Sequence, residues 1–376
     1  MKRIASLALS LTLLLFPLPG LAWEEFCEGV SVERTIHDFG DITLGSGPVS
    51  CTFTLRNDSP KPWLIDRVTT SCGCTSVKWS TQAVPPGGTG SISLAYKNDE
   101  GAFPFDKSAS VWLSCNDRPA VLRIRGVCHD KPIVLEEIYG ESIGAGLAVK
   151  SLDVNGGVLE QGGQRSECFL IANLSGRPAV LDFDRLPAQV KVRNLPLTVP
   201  ARQTVRIDFC VSGDASLWGK NLYSLYPVID GQKSDKPVRI RAVTQMNTSR
   251  LTKEEKRAGP RISFTTSTRA LGKIRQDARP EVHFDFTNNG KAPLQIYKID
   301  AEEGVAAYDI QVQGAGRSSD AGSPSYPVLQ PGESATLRVK IDMKTLPKGE
   351  MLLMLRLITN SPLRPMADVF ISGWIE

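Results

Sequence analysis

The sequence predicts an all-β protein: three tandem immunoglobulin-like β-sandwich modules that follow a cleaved signal peptide. Three observations lead to this prediction. The N-terminus has the charge and hydropathy pattern of an export signal, a set of short alternating segments recurs three times, and turn-forming residues separate those segments. Little of the remaining sequence has the periodicity of a helix.

The export signal is the first feature along the chain. A short basic start precedes an apolar run from Ala5 to Phe16, and Gly20 and Ala22 supply the small residues that a cleavage site needs. An N-terminal membrane anchor is the alternative, but a spanning helix needs about 20 apolar residues and this run is shorter. We therefore expect removal of residues 1–22, no transmembrane anchor, and a periplasmic, cell-surface or secreted location in a bacterium.

The formal charge of the exported part is nearly balanced. The chain has 44 basic and 40 acidic residues, and the segment before the cleavage site contains Lys2 and Arg3 but no acidic residue. The exported part therefore carries an excess of two positive charges. Nucleic-acid binding needs a concentrated basic face, so this composition argues against nucleic acid as a main partner.

The threefold repeat has one order of segments. A short first strand leads to a strand that ends near an asparagine, then an apolar strand, a turn rich in Pro and Gly, an alternating strand and a closing hairpin. The asparagine-ended strands read CTFTLRNDS, CFLIANLSG and EVHFDFTNNG. Alternation with period two places one face of a strand on a core and the other toward water. About seven short strands per 110 residues is typical of a sandwich.

The repeat also predicts the domain boundaries. We expect modules at residues 31–130, 131–245 and 261–376. The stretch MNTSRLTKEEKRAGP at residues 246–260 is polar and charged, which predicts a linker before the third module. Good helix formers from Leu251 to Arg257 allow a short helix inside that linker.

The first module resembles a known family. The strings HDFGDI, FTLRNDSPKPWLIDRVTTSCGCTSV, PPGGTGSISLAY and VWLSCN…LRIRGV are similar to the bacterial domain-of-unknown-function family 1573, in the Hydin-like branch of immunoglobulin-type sandwiches. The resemblance covers residues 36–127 and includes the family's Cys-Gly-Cys-Thr signature at Cys72–Thr75. It implies an extracytoplasmic bacterial protein, often from the Bacteroidetes, and assigns no activity.

Eight cysteines in an exported protein are first interpreted as disulfides. In the second module, Cys168 lies on one predicted strand and Cys210 on its neighbour, which predicts a Cys168–Cys210 bridge. Strand order in the first module brings Cys27 near Cys115 at one end, which predicts a second bridge. The other cysteines are expected to gather at the opposite end of that module: Cys51, Cys72, Cys74 and Cys128.

The Cys72-Gly73-Cys74 segment is where chemistry is best argued. Gly73 allows a tight backbone, so the two sulfurs can face each other or converge on one ion. Structural bridges among the four cysteines are favoured, because exported thiols usually end up paired. A thiol-redox pair is one alternative. A zinc or copper site is another, with four ligands from one end of the module: Cys72, Cys74, Cys128 and His129.

Five of the six tryptophans divide into two groups. Two of them lie outside the regular strand patterns and are the candidates for exposed binding aromatics: Trp79 and Trp218. The other three lie within strand patterns and are expected in or beside a core: Trp63, Trp112 and Trp374.

The sequence lacks two common catalytic motifs. It contains no His-Glu-x-x-His and no phosphate-binding Gly-rich Lys loop. We therefore expect an exported protein without enzymatic activity or cofactor, which acts as a structural or protein-interaction module and has an envelope or extracellular protein as partner. A metal-binding or thiol-redox role for Cys72 and Cys74 is the alternative. The sequence indicates no oligomeric state.

Overall fold

The computed structural model describes residues 23–214, 216–249, 251–301, 307–317 and 325–376, so the predicted signal peptide lies outside the described residues. Strands make up 58% of the described residues and helices 4%, which confirms the all-β prediction. Among the described residues, no helix has the length and apolar character needed to cross a membrane.

The chain folds into two compact units. The first ends at Ile133 and contains one pair of sheets, whereas the second runs from Val134 to Glu376 and contains two pairs. Each pair of sheets encloses its own cluster of buried apolar side chains. The predicted second and third modules are therefore packed together within one unit.

The first pair of sheets contains nine strands. One sheet has the order β1-β2-β4-β7-β6 and the other the order β3-β9-β8-β5. The strands are β1 (Glu24–Cys27), β2 (Val30–Val32), β3 (Ile36–Thr43), β4 (Val49–Asn57), β5 (Ile65–Thr70), β6 (Thr75–Trp79), β7 (Thr89–Tyr96), β8 (Pro104–Leu113) and β9 (Ala120–His129).

The second pair of sheets begins after a one-turn helix, α1 (Leu135–Ile138). Its sheets have the orders β10-β11-β13-β17-β15 and β12-β20-β18-β14-β16, with β19 paired to β18. The strands are β10 (Glu141–Gly144), β11 (Leu147–Val149), β12 (Asp153–Glu160), β13 (Gln164–Asn173), β14 (Ala179–Asp184), β15 (Val190–Val192), β16 (Leu197–Val199), β17 (Thr204–Ser212), β18 (Gly219–Ile229), β19 (Gln232–Lys233) and β20 (Val238–Gln245).

The third pair of sheets follows helix α2 (Lys253–Ala258). Its sheets have the orders β21-β23-β28-β25 and β22-β30-β29-β24-β27-β26. The strands are β21 (Ile262–Phe264), β22 (Thr268–Ile274), β23 (Glu281–Asn288), β24 (Leu294–Ala301), β25 (Ala307–Gln313), β26 (Gly316–Arg317), β27 (Pro327–Leu329), β28 (Ser334–Ile341), β29 (Gly349–Thr359) and β30 (Met366–Ile375), with a 3-10 turn at Met343–Thr345.

Helix α2 lies in the predicted linker. Thr252 caps it: its side chain accepts a hydrogen bond from the Glu255 N–H, and the Glu255 side chain reaches back to the Thr252 N–H. This capping box satisfies two of the N–H groups that a helix start leaves without partners. The helix formers in the linker therefore do form a helix.

The three pairs of sheets share one feature of register. In each, an early strand pairs in parallel with the last strand: β3 with β9, β12 with β20 and β22 with β30. A register shift interrupts each of these parallel pairs. In the second pair of sheets, the carboxylate of Asp153 on β12 accepts hydrogen bonds from Arg239 and Arg241 on β20, at 2.8 and 3.0 Å.

A buried asparagine recurs at the same place in all three repeats. Asn57, Asn173 and Asn288 end strands β4, β13 and β23, and each is fully buried. Each Nδ2 donates to the carbonyl of the residue four positions later, at 2.8 or 2.9 Å. Each also donates to a carbonyl of another segment, at 2.9 or 3.0 Å: Val84, Val199 and Leu329. Each asparagine therefore links the end of its strand to a neighbouring segment by side-chain hydrogen bonds.

Candidate functional site

The Cys-Gly-Cys segment forms the turn between β5 and β6 of the first unit. Its backbone is held on both sides: Thr70 Oγ1 donates to the Cys72 carbonyl at 3.0 Å, and the Lys97 N–H donates to the Cys74 carbonyl at 2.9 Å. Lys97 follows β7, the neighbour of β6 in the sheet. The turn is therefore fixed to the edge of the sandwich by neighbours on two sides.

A disulfide joins Cys72 to Cys74, with their Cα atoms 5.3 Å apart. Of the bridges expected among the four cysteines at this end, the structure therefore forms the one between Cys72 and Cys74, and it does not join Cys51 or Cys128 to another sulfur. Cys74 is buried and Cys72 is half-buried. The Thr75 hydroxyl lies 3.6 Å from the Cys72 sulfur and 3.8 Å from the Cys74 sulfur.

Gly73 is not required by the geometry of this turn. Its φ lies outside the left-handed region, and a Cβ added there would meet no atom within 4 Å. The left-handed conformation that favours glycine is therefore not used in this turn. Gly73 is exposed.

Glu100 is the third member of this site. One of its carboxylate oxygens and the sulfurs of Cys72 and Cys74 all lie within 4.8 Å of one another. Lys107 Nζ holds the carboxylate from the other side, 3.3 Å from Oε2. A pair of sulfurs with one carboxylate is a donor set that suits zinc once the sulfurs are reduced.

The predicted metal ligands Cys128 and His129 do not belong to the group formed by Cys72, Cys74 and Glu100. His129 Nε2 lies 2.7 Å from Asp41 Oδ1, so the imidazole pairs with a carboxylate of β3. Cys128 is buried, its sulfur lies 3.9 Å from the Asn98 carbonyl, and burial raises the pKa of its thiol. Cys128 and His129 are therefore replaced by Glu100 in the ligand group that the structure forms.

Tyr96 brings a buried hydroxyl to the same end of the sandwich. The residue pairs with Thr75 across β7 and β6, and its ring stacks on Phe105 at 3.9 Å between centroids. Burial raises the pKa of the Tyr96 hydroxyl, and the nearby charge of Glu100 raises it further. Within the part of the chain that the structure describes, this buried hydroxyl has no hydrogen-bond partner.

The predicted Cys27–Cys115 pair meets at the other end of the first unit. Cys27 ends β1 and Cys115 follows β8, and the side chain of Asn116 contacts the Cys27 sulfur. Burial raises the pKa of both thiols, and the neighbouring charge of Cys115 adds to the rise for Cys27. The structure does not join the two sulfurs, so the bridge stays a prediction between adjacent cysteines.

The predicted Cys168–Cys210 pair lies on neighbouring strands, β13 and β17. The register sets Cys168 opposite Asp208 and Cys210 opposite Ser166, so the two cysteines are diagonal to each other. Diagonal Cα atoms are about 7–8 Å apart, whereas disulfides usually need about 4.4–6.8 Å. The structure does not join these sulfurs, and a bridge requires a local shift of one strand.

The tryptophans are placed differently from the prediction. Trp79 is half-buried against the core of the first unit, and Trp218 is buried with 8% of its surface exposed. Trp374, predicted in or beside a core, is 52% exposed on the last strand. Trp63 is buried as predicted. Trp218 is therefore not a surface aromatic.

Trp218 lies in a joint between the second and third pairs of sheets. Its ring stacks on Tyr297 of β24, with centroids 3.9 Å apart and planes at 3°. Tyr326 then meets Tyr297 edge-on at 5.1 Å. Burial raises the pKa of the Tyr297 hydroxyl.

An ion pair with a buried carboxylate lies beside these rings. Asp300 is 7% exposed, and its Oδ1 lies 3.0 Å from Nζ of Lys298, whose side chain is 39% exposed. Its Oδ2 accepts a hydrogen bond from the Lys220 N–H at 2.6 Å, across the joint. Lys298 Nζ donates to the Lys220 carbonyl at 2.8 Å, and Lys220 Nζ donates to the Ala301 carbonyl at 3.0 Å. Both ends of the ion pair are thus hydrogen-bonded, as the buried carboxylate requires.

Two functional residues were not apparent from the sequence: Glu100 and Asp300. Glu100 lies in an exposed turn, 26 positions after Cys74 in the printed sequence, and only sheet pairing brings it to the disulfide. Asp300 had a weak signal, since Lys298 and Asp300 are two positions apart at the end of a largely apolar strand. Such a pair is equally typical of a solvated surface. Only the position of strand β18 in the structure shows that Asp300 is buried in the joint.

Comparison with known proteins identifies a family for part of the chain. Residues 30–128 match the family described as "Protein of unknown function (DUF1573)", which confirms the resemblance seen in the sequence. No curated protein matches the chain.

Several solved structures are similar at low identity. A protein of unknown function from Porphyromonas gingivalis W83 matches 61% of this chain and 100% of its own, with 14% identity and a TM-score of 0.48. The CsuC-CsuE chaperone-tip adhesion subunit complex from Acinetobacter baumannii matches 61% of this chain and 99% of its own, with 12% identity and a TM-score of 0.22. The PapD-like domain 7 of human CEP192 matches 34% and 91%, with 12% identity and a TM-score of 0.22. These likenesses carry no argument about function.

Proposed function

We propose that the protein is exported to the bacterial envelope, where it acts without catalysis as a structural or protein-interaction module. In this role its second and third sandwiches form one rigid arm. The joint that contains Trp218, Tyr297 and Asp300 is the observation that carries the proposal. A spacer, or a protein that presents a binding surface, needs domains with a fixed relative orientation, and by default neighbouring domains move.

The joint restricts motion in two ways. The stacked rings of Trp218 and Tyr297 bury apolar surface and are worth about 0.5–1.5 kcal/mol beyond that burial. Separation of the sandwiches would also leave Asp300 without its bond to the Lys220 N–H. The loss of a hydrogen bond to a buried carboxylate is destabilising, because part of the buried charge is left uncompensated.

Gly219 shows how closely the two sandwiches approach. Its φ is +67°, and a Cβ at this position would collide with Asp300 Oδ2. Only glycine satisfies both the backbone conformation and the close approach. Gly231 provides a matched comparison, because its φ is +81° and no atom lies within 4 Å of an added Cβ.

Capture from the envelope tests the proposed function. The tagged protein is produced in its own bacterium, the cells are fractionated, and envelope proteins are crosslinked and identified. We expect a product in the envelope fraction that begins at Trp23, the residue after the predicted cleavage site. We also expect a reproducible protein partner, recovered equally by Gly231→Ala and less well by Gly219→Ala.

Two results would contradict the proposal. The first is retention of the full-length chain in the cytoplasm, which would argue against export. The second is recovery of the same proteins by this chain and by an unrelated exported sandwich protein, which would argue against a specific interaction.

A further inference from the structure

We propose that the Cys72–Cys74 disulfide is reversible and that its reduced form, together with Glu100, binds a thiophilic divalent metal ion of the zinc class. In the disulfide form the two sulfurs are bonded to each other and the site is closed. In the dithiol form the same atoms become ligands. The inference is independent of the envelope role, since it concerns only this end of the first unit.

The geometry of the three donor groups supports a common ion. Both sulfurs and one Glu100 oxygen lie within 4.8 Å of one another. Zinc binds thiolate at about 2.3 Å and carboxylate at about 2.0–2.2 Å in a tetrahedral arrangement, so two thiolate ligands lie about 3.8 Å apart and a thiolate and a carboxylate oxygen about 3.5 Å apart. Once reduction has released the two sulfurs from each other, they must separate and Glu100 must approach by about an ångström. Water fills the fourth position.

The surroundings of the three groups are those of a metal site. Lys107 pairs with Glu100 Oε2, which orients the carboxylate as partners behind metal ligands commonly do. Thr75 places its hydroxyl 3.6 and 3.8 Å from the two sulfurs, where it can donate to a thiolate. The Tyr96 hydroxyl, buried and without a partner in the described part of the chain, can bond to a water or ion at the same end.

Access to the disulfide is through Cys72, which is half-buried, whereas Cys74 is buried. Gly73, between them, is exposed. Thiol–disulfide exchange depends on access to a sulfur, so a thiolate of another protein would attack the Cys72 sulfur.

The reaction balances with a dithiol protein as reductant. One thiolate of the reductant attacks the Cys72–Cys74 bond, a mixed disulfide forms, and the second thiolate of the reductant resolves it. The Cys72–Cys74 bond gains two electrons and two protons, and the reductant becomes a disulfide. Zinc binding then displaces the two thiol protons to solvent, because the ligands are thiolates.

Zinc titration of the full-length folded protein tests the inference. The protein is titrated with zinc alone, before and after reduction by a small dithiol that is then removed, against a chromophoric chelator. We expect reduction to create one additional zinc site per chain. The variant Cys72→Ser/Cys74→Ser retains the other six cysteines. The zinc that these six bind is therefore measured with the variant and subtracted, and the variant should lack the additional site.

Two single-charge variants make the test specific. Glu100→Gln should raise the Kd of the additional site roughly tenfold or more, since loss of even an outer partner of a metal ligand costs about 10–100-fold. Asp99→Asn removes the same charge from the next residue, which is exposed and outside the donor group. Its Kd should match that of the unchanged protein.

Unchanged thermal unfolding of the reduced variants confirms that they remain folded. The inference is overturned if reduction adds no zinc site relative to Cys72→Ser/Cys74→Ser. It is also overturned if Glu100→Gln and Asp99→Asn bind zinc equally, because the carboxylate would then contribute only general charge.

Discussion

Asp153 shows how one side chain secures a parallel strand pair. Its Oδ2 accepts hydrogen bonds from Arg239 and Arg241, on either side of an apolar position of β20. The hydrogen bond from Arg241, followed by the charges of both arginines, holds the pKa of Asp153 below its ordinary value of 3.8. The folded state therefore favours the ionised carboxylate.

The stability contribution of Asp153 depends on pH. Because the folded-state pKa is lowered, the contribution is complete above about pH 3.8 and is lost as the pH falls through the lower folded-state value. Asp153→Asn should lower the melting temperature near neutral pH and have progressively less effect toward pH 2. Asp235→Asn, at an exposed position of the same sandwich, is the control. An equal effect of Asp153→Asn at both pH values would contradict this account.

Single side chains were the hardest level to predict from sequence. Trp218 looked exposed because its segment lacks strand alternation, yet the third sandwich covers it. Trp374 looked buried because it follows the alternation of β30, but it occupies an outward position. In both cases the exposure of the ring depends on whether another element packs against it. That element is distant in the sequence, so the residues around each tryptophan do not reveal it.

At the scale of elements, the recurrent asparagine is the strongest test of how the repeats are held together. Asn288→Ala would leave the Ala292 and Leu329 carbonyls without their donor. We expect a loss of about 2–6 kcal/mol in unfolding free energy, since each of the two unsatisfied buried carbonyls costs about 1–3 kcal/mol. Asn289→Ala changes the next residue, which is exposed, and should have little effect. Calorimetry that showed equal melting for both variants would argue against this role.

The hairpin of β1 and β2 offers a second test at the same scale. Cys27 ends β1 beside Cys115, so mild oxidation should link them and fix the hairpin to the β8–β9 turn. A disulfide that closes a loop of this length typically stabilises by about 2–4 kcal/mol. Cys115→Ser should abolish that gain. A non-reducing peptide map that linked Cys27 to Cys72 or Cys74 would refute the pairing.

Elements were more predictable than residues. The alternating segments form strands, and the helix formers of the linker form α2. These features depend on local sequence, so the sequence predicts them. The asparagine that ends each of the three strands is buried. The Cys168–Cys210 bridge depended on register, and strand neighbours alone do not define register.

For the whole molecule, composition and repeat length predicted the all-β architecture, and the family match covers residues 30–128. The joint between the second and third sandwiches could not be predicted, because its rings and charges come from segments about 80 positions apart. The proposed arm depends on this joint. If the two sandwiches moved independently, a fixed presentation of a surface to a partner would be lost.

Residual dipolar couplings of the deuterated full-length protein measure that rigidity directly. Backbone N–H couplings from residues 141–245 and 262–375 are fitted separately for alignment. The account predicts one common alignment tensor in the unchanged protein and in Gly231→Ala, and two different tensors in Gly219→Ala, whose added methyl group meets Asp300. Two different tensors in the unchanged protein would contradict the rigid arm.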